Sequence, residues 1–76
     1  MKLKTNKMIT TKDSESIKLI YFNGKLIIEI SDNDYGMEVY DYINHCYVEV
    51  KSTYINGVYV EISSYIENVT RKRELV

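Results

Sequence analysis

Apolar and polar residues alternate along much of the stretch from Ile17 to Ile66, the spacing of strands with one buried face. Ile17-Lys18-Leu19-Ile20-Tyr21-Phe22 and Lys25-Leu26-Ile27-Ile28-Glu29-Ile30 flank Asn23-Gly24. Asn-Gly between two such runs is the strongest short hairpin signal, because both residues tolerate a positive φ. Tyr42-Ile43-Asn44-His45-Cys46-Tyr47-Val48-Glu49-Val50 returns twelve residues later as Tyr54-Ile55-Asn56-Gly57-Val58-Tyr59-Val60-Glu61-Ile62. An even offset preserves strand face, so Tyr47 and Tyr59 are expected on one side together with Glu49 and Glu61.

Register follows from asking which loop lengths put like residues on one face. A two-residue loop at Asn23-Gly24 pairs Ile17 with Ile30, Leu19 with Ile28 and Tyr21 with Leu26, and sets Lys18 against Glu29 on the other face. A two-residue loop at Asn44-His45 pairs Ile43 with Cys46, and a three-residue loop ending at Gly57 pairs Val50 with Ile62. The buried face then reads Val39–Val50–Ile62 and Ile43–Cys46–Ile66. The opposite face reads Glu38–Lys51–Glu61, Tyr40–Glu49–Ser63 and Tyr42–Tyr47–Tyr65, which places Lys51 between two glutamates as cross-strand pairing favours. Asp41 breaks the pattern by falling on the apolar face opposite Val48.

The pattern predicts an all-β fold: a small antiparallel meander of about five strands, over 17–22, 25–31, 37–43, 46–54 and 58–66. It is expected to roll into an open barrel or to pair as a dimerised sheet. A short strand near Met8–Thr10 and a short C-terminal helix starting at a Ser64–Glu67 capping box are further expectations. The chain has 76 residues, which limits it to a single small domain with a thin core. Residues 1–15 read as a basic N-terminal arm and 67–76 as a basic tail. Alanine, glutamine, proline and tryptophan are absent while Ile, Lys, Tyr and Asn abound. That bias disfavours helix, favours strand, and matches an AT-rich bacterial or phage source. There is no apolar run of membrane-spanning length and no signal-peptide pattern, so the expected compartment is the cytoplasm, with no membrane partner.

Charge adds a surface to this outline. Residues 1–25 sum to +4, residues 26–70 to −7 and residues 71–76 to +2, inside a total of −1. If the register holds, the acidic middle becomes a face on which Glu38, Glu49 and Glu61 stand beside Tyr40, Tyr42, Tyr47, Tyr59 and Tyr65, with Asp32 and Asp34 on an adjacent loop. Tyrosine offers large contact area with few rotors, and carboxylates attract Arg- or Lys-rich partners. The plainer alternative is a half-solvated sheet, or a face buried in a homodimer. Lys2, Lys4, Lys7, Lys12, Arg71, Lys72 and Arg73 suggest phosphate contacts, with tyrosines to stack bases. The acidity of the tyrosine-bearing sheet argues against that reading.

Asp32-Asn33-Asp34-Tyr35-Gly36 with Glu38 resembles a calcium loop, but Ile43 stands where an EF-hand needs its last acid. Such clusters are also ordinary turn sequence. His45 and Cys46 are the only histidine and cysteine, which supports neither a zinc site nor a disulfide within one chain. They read as a turn residue and a small apolar residue. Asn68-Val69-Thr70 fits a glycosylation triplet by chance. No cofactor or metal is expected, and one His, one Cys and scattered carboxylates give no catalytic set. The expected function is a non-enzymatic protein-binding module presenting an acidic, tyrosine-rich sheet to a basic partner surface. By analogy of size and source, a phage or mobile-element inhibitor of host defence or nucleic-acid machinery is one instance. A nucleic-acid binder using its basic termini and a structural homodimer are the rivals.

Overall fold

Strand propensity and turn chemistry carry the first half of the chain, and a helical repeat of apolar residues carries the end. The computed structural model describes the backbone of residues 9–75 and the side chains of residues 9–71. Its elements are β1 (Ile9–Asp13), β2 (Ile17–Phe22), β3 (Lys25–Asn33), β4 (Gly36–Asp41), β5 (Cys46–Tyr47), α1 (Ile55–Glu61) and α2 (Ser63–Leu75). The strands lie in chain order, each antiparallel to the next, in a five-stranded meander that does not close. The fold is mostly β, with a short C-terminal helix pair packed on one face of the sheet. Among the described residues no helix is long and apolar enough to cross a membrane.

Asn23-Gly24 forms its hairpin with φ of 54° and 77°, and Tyr21 faces Leu26 as the pattern predicts. Beyond that pair a bulge shifts the register by one. Ile20 faces Ile28, Leu19 faces Glu29 and Lys18 faces Ile30, in place of the expected Leu19–Ile28 and Lys18–Glu29 pairs. The bulge lets the adjacent residues Ile27 and Ile28 both reach the interior, which strict alternation forbids. β2 therefore buries Lys18, Ile20 and Phe22 rather than Ile17, Leu19 and Tyr21. The inward Lys18 ammonium lies 3.0 and 3.2 Å from the Asp13 carboxylate oxygens and 4.9 Å from the Tyr59 ring centroid. The ion pair and the ring offset part of the desolvation penalty of this buried lysine.

The β4–β5 connection departs from the expected two-residue loop. Tyr40 faces Tyr47 and Asp41 faces Cys46, two residues away from the expected pairing of Ile43 with Cys46. Asp41 is the cause. Its side chain is fully buried, and its carboxylate accepts the backbone N–H groups of Ile43 (2.8 Å) and Asn44 (3.1 Å) and the Asn44 side-chain amide (2.8 Å). It also accepts the Tyr65 hydroxyl from α2. These four donors hold the wider turn, in which His45 takes φ 57°. The residue that breaks the sequence pattern is thus the one that ties the turn to the helix. Cys46 is exposed at the short edge strand rather than buried against Ile43 and Ile66.

The expected strands 46–54 and 58–66 end differently. β5 stops at Tyr47, and the second copy of the repeat is α1. Val58, Ile62, Ile66 and Val69 are spaced 4, 4 and 3 and are all buried, as a helix face requires. The first three also share one strand parity, which is why alternation reads them as β. Ile62 ends α1 with φ −98° and ψ 14°, yet the bonds Ile62 N–H to Val58 O and Ile66 N–H to Ile62 O carry the helix across the break into α2. The ladders Val39–Val50–Ile62 and Ile43–Cys46–Ile66 are therefore replaced by helix-on-sheet packing. One core joins Ile20, Phe22, Ile27, Ile28, Ile30 and Val39 of the sheet to Val58, Ile62 and Ile66 of the helices. Val60, placed inward by the strand pattern, is 71% exposed. The Asn68-Val69-Thr70 triplet lies within α2, where the buried Thr70 hydroxyl donates to Ile66 O and Glu67 O.

Substitution distinguishes the two periodicities. Val60→Lys is expected to change stability by no more than about 0.5 kcal/mol, as at other exposed sites. Val58→Lys, which buries an unpaired ammonium, should leave no cooperative transition in urea. Equal effects of the two would contradict the helix.

Asp41 and Tyr65 also set a pH window. Burial pushes the Asp41 carboxyl up, but the donors from Tyr65, Asn44 and Ile43 outweigh it and leave it below the ordinary carboxylate range. Its contribution is present above the unfolded pKa of about 3.9 and is lost as pH falls through the lower folded value. Burial and the Asp41 bond push the Tyr65 phenol up to about 12. That contribution is full below the unfolded pKa of about 10 and is lost as pH rises toward the folded value. Tyr65→Phe is expected to cost about 1.5–3 kcal/mol at neutral pH and to flatten the alkaline limb of a urea-midpoint profile. Asp41→Asn should flatten the acid limb.

Candidate sheet-face binding site

The helices occupy one face of the sheet, and the opposite face carries the chemistry. Residues 29, 31 and 33 of β3 alternate away from the core, as do 38 and 40 of β4, Tyr42 just beyond it, and Tyr47 of β5. Pairing sets Glu29 opposite Tyr40, Ser31 opposite Glu38, and Tyr40 opposite Tyr47. Tyr42 is held beside them because its N–H donates to the carbonyl of Ile27, 2.8 Å away, at the β3 bulge.

Three tyrosines meet here. The Tyr40 ring lies 4.8 Å from Tyr42 and 5.0 Å from Tyr47, with interplanar angles of 75° and 74°. Edge-to-face contact of this kind satisfies the ring quadrupoles better than face-to-face stacking. The Tyr42 hydroxyl donates to Glu29 Oε1 at 2.7 Å, and the Asn33 amide donates to Glu38 Oε1 at 2.9 Å. The hydrogen bond to Glu29, with the carboxylate charge behind it, holds the Tyr42 phenol above its ordinary value. Tyr42 and Tyr47 remain 38% and 69% exposed, so the cluster is formed but not covered among the described residues.

The face is polarised. Its central row runs Lys12, Leu19, Glu29, Tyr40, Tyr47 from β1 to β5. Positive charge thus lies at one edge and carboxylates toward the other, separated by the half-buried Ile17, Leu19, Tyr21 and Leu26. The β3–β4 hairpin extends the acidic end. Asn33 faces Gly36, which has φ 106°; Asp34 and Tyr35 form the loop, and Asn33 Oδ1 accepts the Tyr35 N–H at 2.8 Å. Asp34 is exposed in that turn, whereas Asp32, expected on the loop, is an exposed β3 residue opposite Met37 and alternates to the other side of the sheet from Glu29 and Ser31.

The structure unites part of the expected face and disperses the rest. Glu38, Tyr40, Tyr42 and Tyr47 share it. Glu49 does not, because β5 stops at Tyr47, and Tyr59, Glu61 and Tyr65 do not, because they lie in the helices. Tyr65 turns inward to Asp41, and Tyr59 lies under Lys18. Glu61 accepts the backbone N–H groups of Lys51 (2.8 Å) and Ser52 (2.9 Å), bonds that hold its carboxyl low and clasp the β5–α1 connection to the helix. Lys51 meets Glu61 in this way, not as the rung of a ladder between Glu38 and Glu61. Glu49 is exposed near the same clasp.

Glu29 and Ser31 are site residues that the sequence pattern did not nominate. Sizing the Asp34-Tyr35 turn as a two-residue loop finds them, since it puts Glu29 opposite Tyr40 by counting alone. Of the basic residues considered for nucleic acid, Lys2, Lys4 and Lys7 lie outside the described residues. Arg71 is exposed in α2, and the side chains of Lys72 and Arg73 are likewise outside the described set.

Comparison with protein-family models, curated proteins and solved structures finds no match. The site is therefore read from its own chemistry. Glu29→Gln is expected to lower the pKa of one tyrosine, Tyr42, when the phenols are titrated by ultraviolet absorbance, and Tyr42→Phe should remove that same component. An unchanged titration curve would show that the Tyr42–Glu29 bond does not persist in solution.

Proposed function

We propose that this protein is a non-enzymatic binding module whose acidic, tyrosine-bearing sheet face docks on a basic surface of another protein. The observation that carries the reading is the cluster of Tyr40, Tyr42 and Tyr47 with Glu29 and Glu38 on the face opposite the helices. Aromatic side chains anchor interfaces because they bury much area at small entropic cost. The carboxylates select the sign of the partner's charge and speed encounter. Their field repels phosphate, so the same tyrosines are poorly suited to stacking bases. A protein surface normally used for nucleic acid is the kind of basic patch that this face complements. An inhibitor of host nucleic-acid machinery or defence, carried by a phage or mobile element, is one form such a module takes.

Charge reversal tests the reading. The double variant Glu29→Lys with Glu38→Lys alters only partly exposed positions, so its urea midpoint should stay near that of the unaltered protein. Capture of a partner by the immobilised protein is expected to fall at least tenfold in the variant, and capture by the unaltered protein should weaken as salt rises. Undiminished capture by the variant would overturn the proposal. So would salt-sensitive binding of purified DNA or RNA that the variant strengthens.

A further inference from the structure

We propose that the concavity formed by Tyr40, Tyr42 and Tyr47 with Glu29 and Glu38 is a subsite for a single arginine side chain of the partner. This rests on the docking reading above and names the group that the face recognises. A cavity of about 410 Å³ opens there, lined by Glu29, Ser31, Glu38, Tyr40, Tyr42 and Tyr47. Tyr40 meets its two neighbours at angles near 75°, so a group entering the cavity encounters differently oriented rings. The π-faces of such rings attract a cation.

The two carboxylates are positioned before any ligand arrives. Glu29 is held through Oε1 by the Tyr42 hydroxyl, and Glu38 through Oε1 by the Asn33 amide. Among the described residues, the Oε2 atom of each has no hydrogen-bond donor, which leaves both available to a ligand. The described base that shares the row with Glu29 is Lys12, two strands away. The chain's own described cations thus do not neutralise the cavity, and an anionic occupant is excluded by charge.

Guanidinium fits this combination better than ammonium. Its planar fork binds a carboxylate in the plane while its face stacks on an aromatic ring, and it sheds water more readily than the compact lysine head group. A neutral donor can hydrogen-bond the carboxylates but supplies no charge to offset theirs once water is displaced.

The test is a ¹⁵N NMR titration at low salt with the capped peptide Gly-Gly-Arg-Gly-Gly and its lysine and citrulline counterparts. The arginine peptide is expected to shift signals of Glu29, Ser31, Glu38, Tyr40, Tyr42 and Tyr47 and to bind several-fold more tightly than the lysine peptide. The citrulline peptide should leave them unmoved. Tyr47→Ala, at a largely exposed position that spares the core, is expected to weaken the arginine response about two- to fivefold. Absence of shifts with arginine overturns the subsite. Equal responses to arginine and citrulline, or to arginine and lysine, do the same, as do shifts spread evenly over Asp32, Asp34 and Glu49. If a partner is captured and lost on Glu29 and Glu38 reversal while the arginine peptide gives no response, the subsite fails and the docking reading stands. If the arginine peptide binds but reversal leaves capture intact, the docking reading fails instead.

Discussion

The buried carboxylate of Asp41 holds the two layers of this protein in one arrangement. A charge removed from water is tolerable only when its lone pairs are satisfied, and here donors come from the β4–β5 turn and from α2 at once. The turn widens because its backbone amides bend to that carboxylate. The helix is set over the sheet at the position where the Tyr65 hydroxyl can reach it. Among the described residues, no buried side-chain nitrogen or oxygen lacks a partner. A thin core of isoleucine and valine supplies most of the drive to fold, and Asp41 supplies the specificity of the docking.

Position of the site follows from the same constraint. With the helices held against the inner face, the outer face is left to Glu29, Glu38 and the tyrosine cluster. The four-residue turn brings Tyr47 opposite Tyr40 and leaves Tyr42 to fold back along β3 toward Glu29. Lys18 makes the complementary choice. The β3 bulge turns it inward to Asp13 and Tyr59, and so removes from the outer face a cation that would otherwise lie against Glu29. The acidity of the outer face is thus a product of register as much as of composition.

Much of this was legible in the chain. Asn23-Gly24 specified its hairpin through backbone geometry, and alternation located β2, β3 and β4. Glu38, Tyr40, Tyr42 and Tyr47 were recognisable as one surface because a shift of two residues preserves strand parity, so the altered β4–β5 register left the face intact. Tyr59, Glu61 and Tyr65 were misplaced for the converse reason. A spacing of four satisfies both a strand and a helix, and only the continuation through Val69 separates the two. The anomalous Asp41 was itself a signal, because an acid on an apolar strand face can be buried only if donors gather around it.

By itself, the sequence determined the antiparallel meander, its early turns and the acidic middle with its tyrosines, because these depend on local backbone preference and on period-two alternation. Tertiary structure alone decided the rest. The segments Tyr42–Val50 and Tyr54–Ile62, which share six of nine residues, fold as turn-and-strand and as helix. In the first, Asp41 captures the turn amides; in the second, Val58 and Ile62 gain more by burying against the finished sheet than by extending an edge. Local propensity is weak for both segments, so the free energy of packing against distant residues chooses between them.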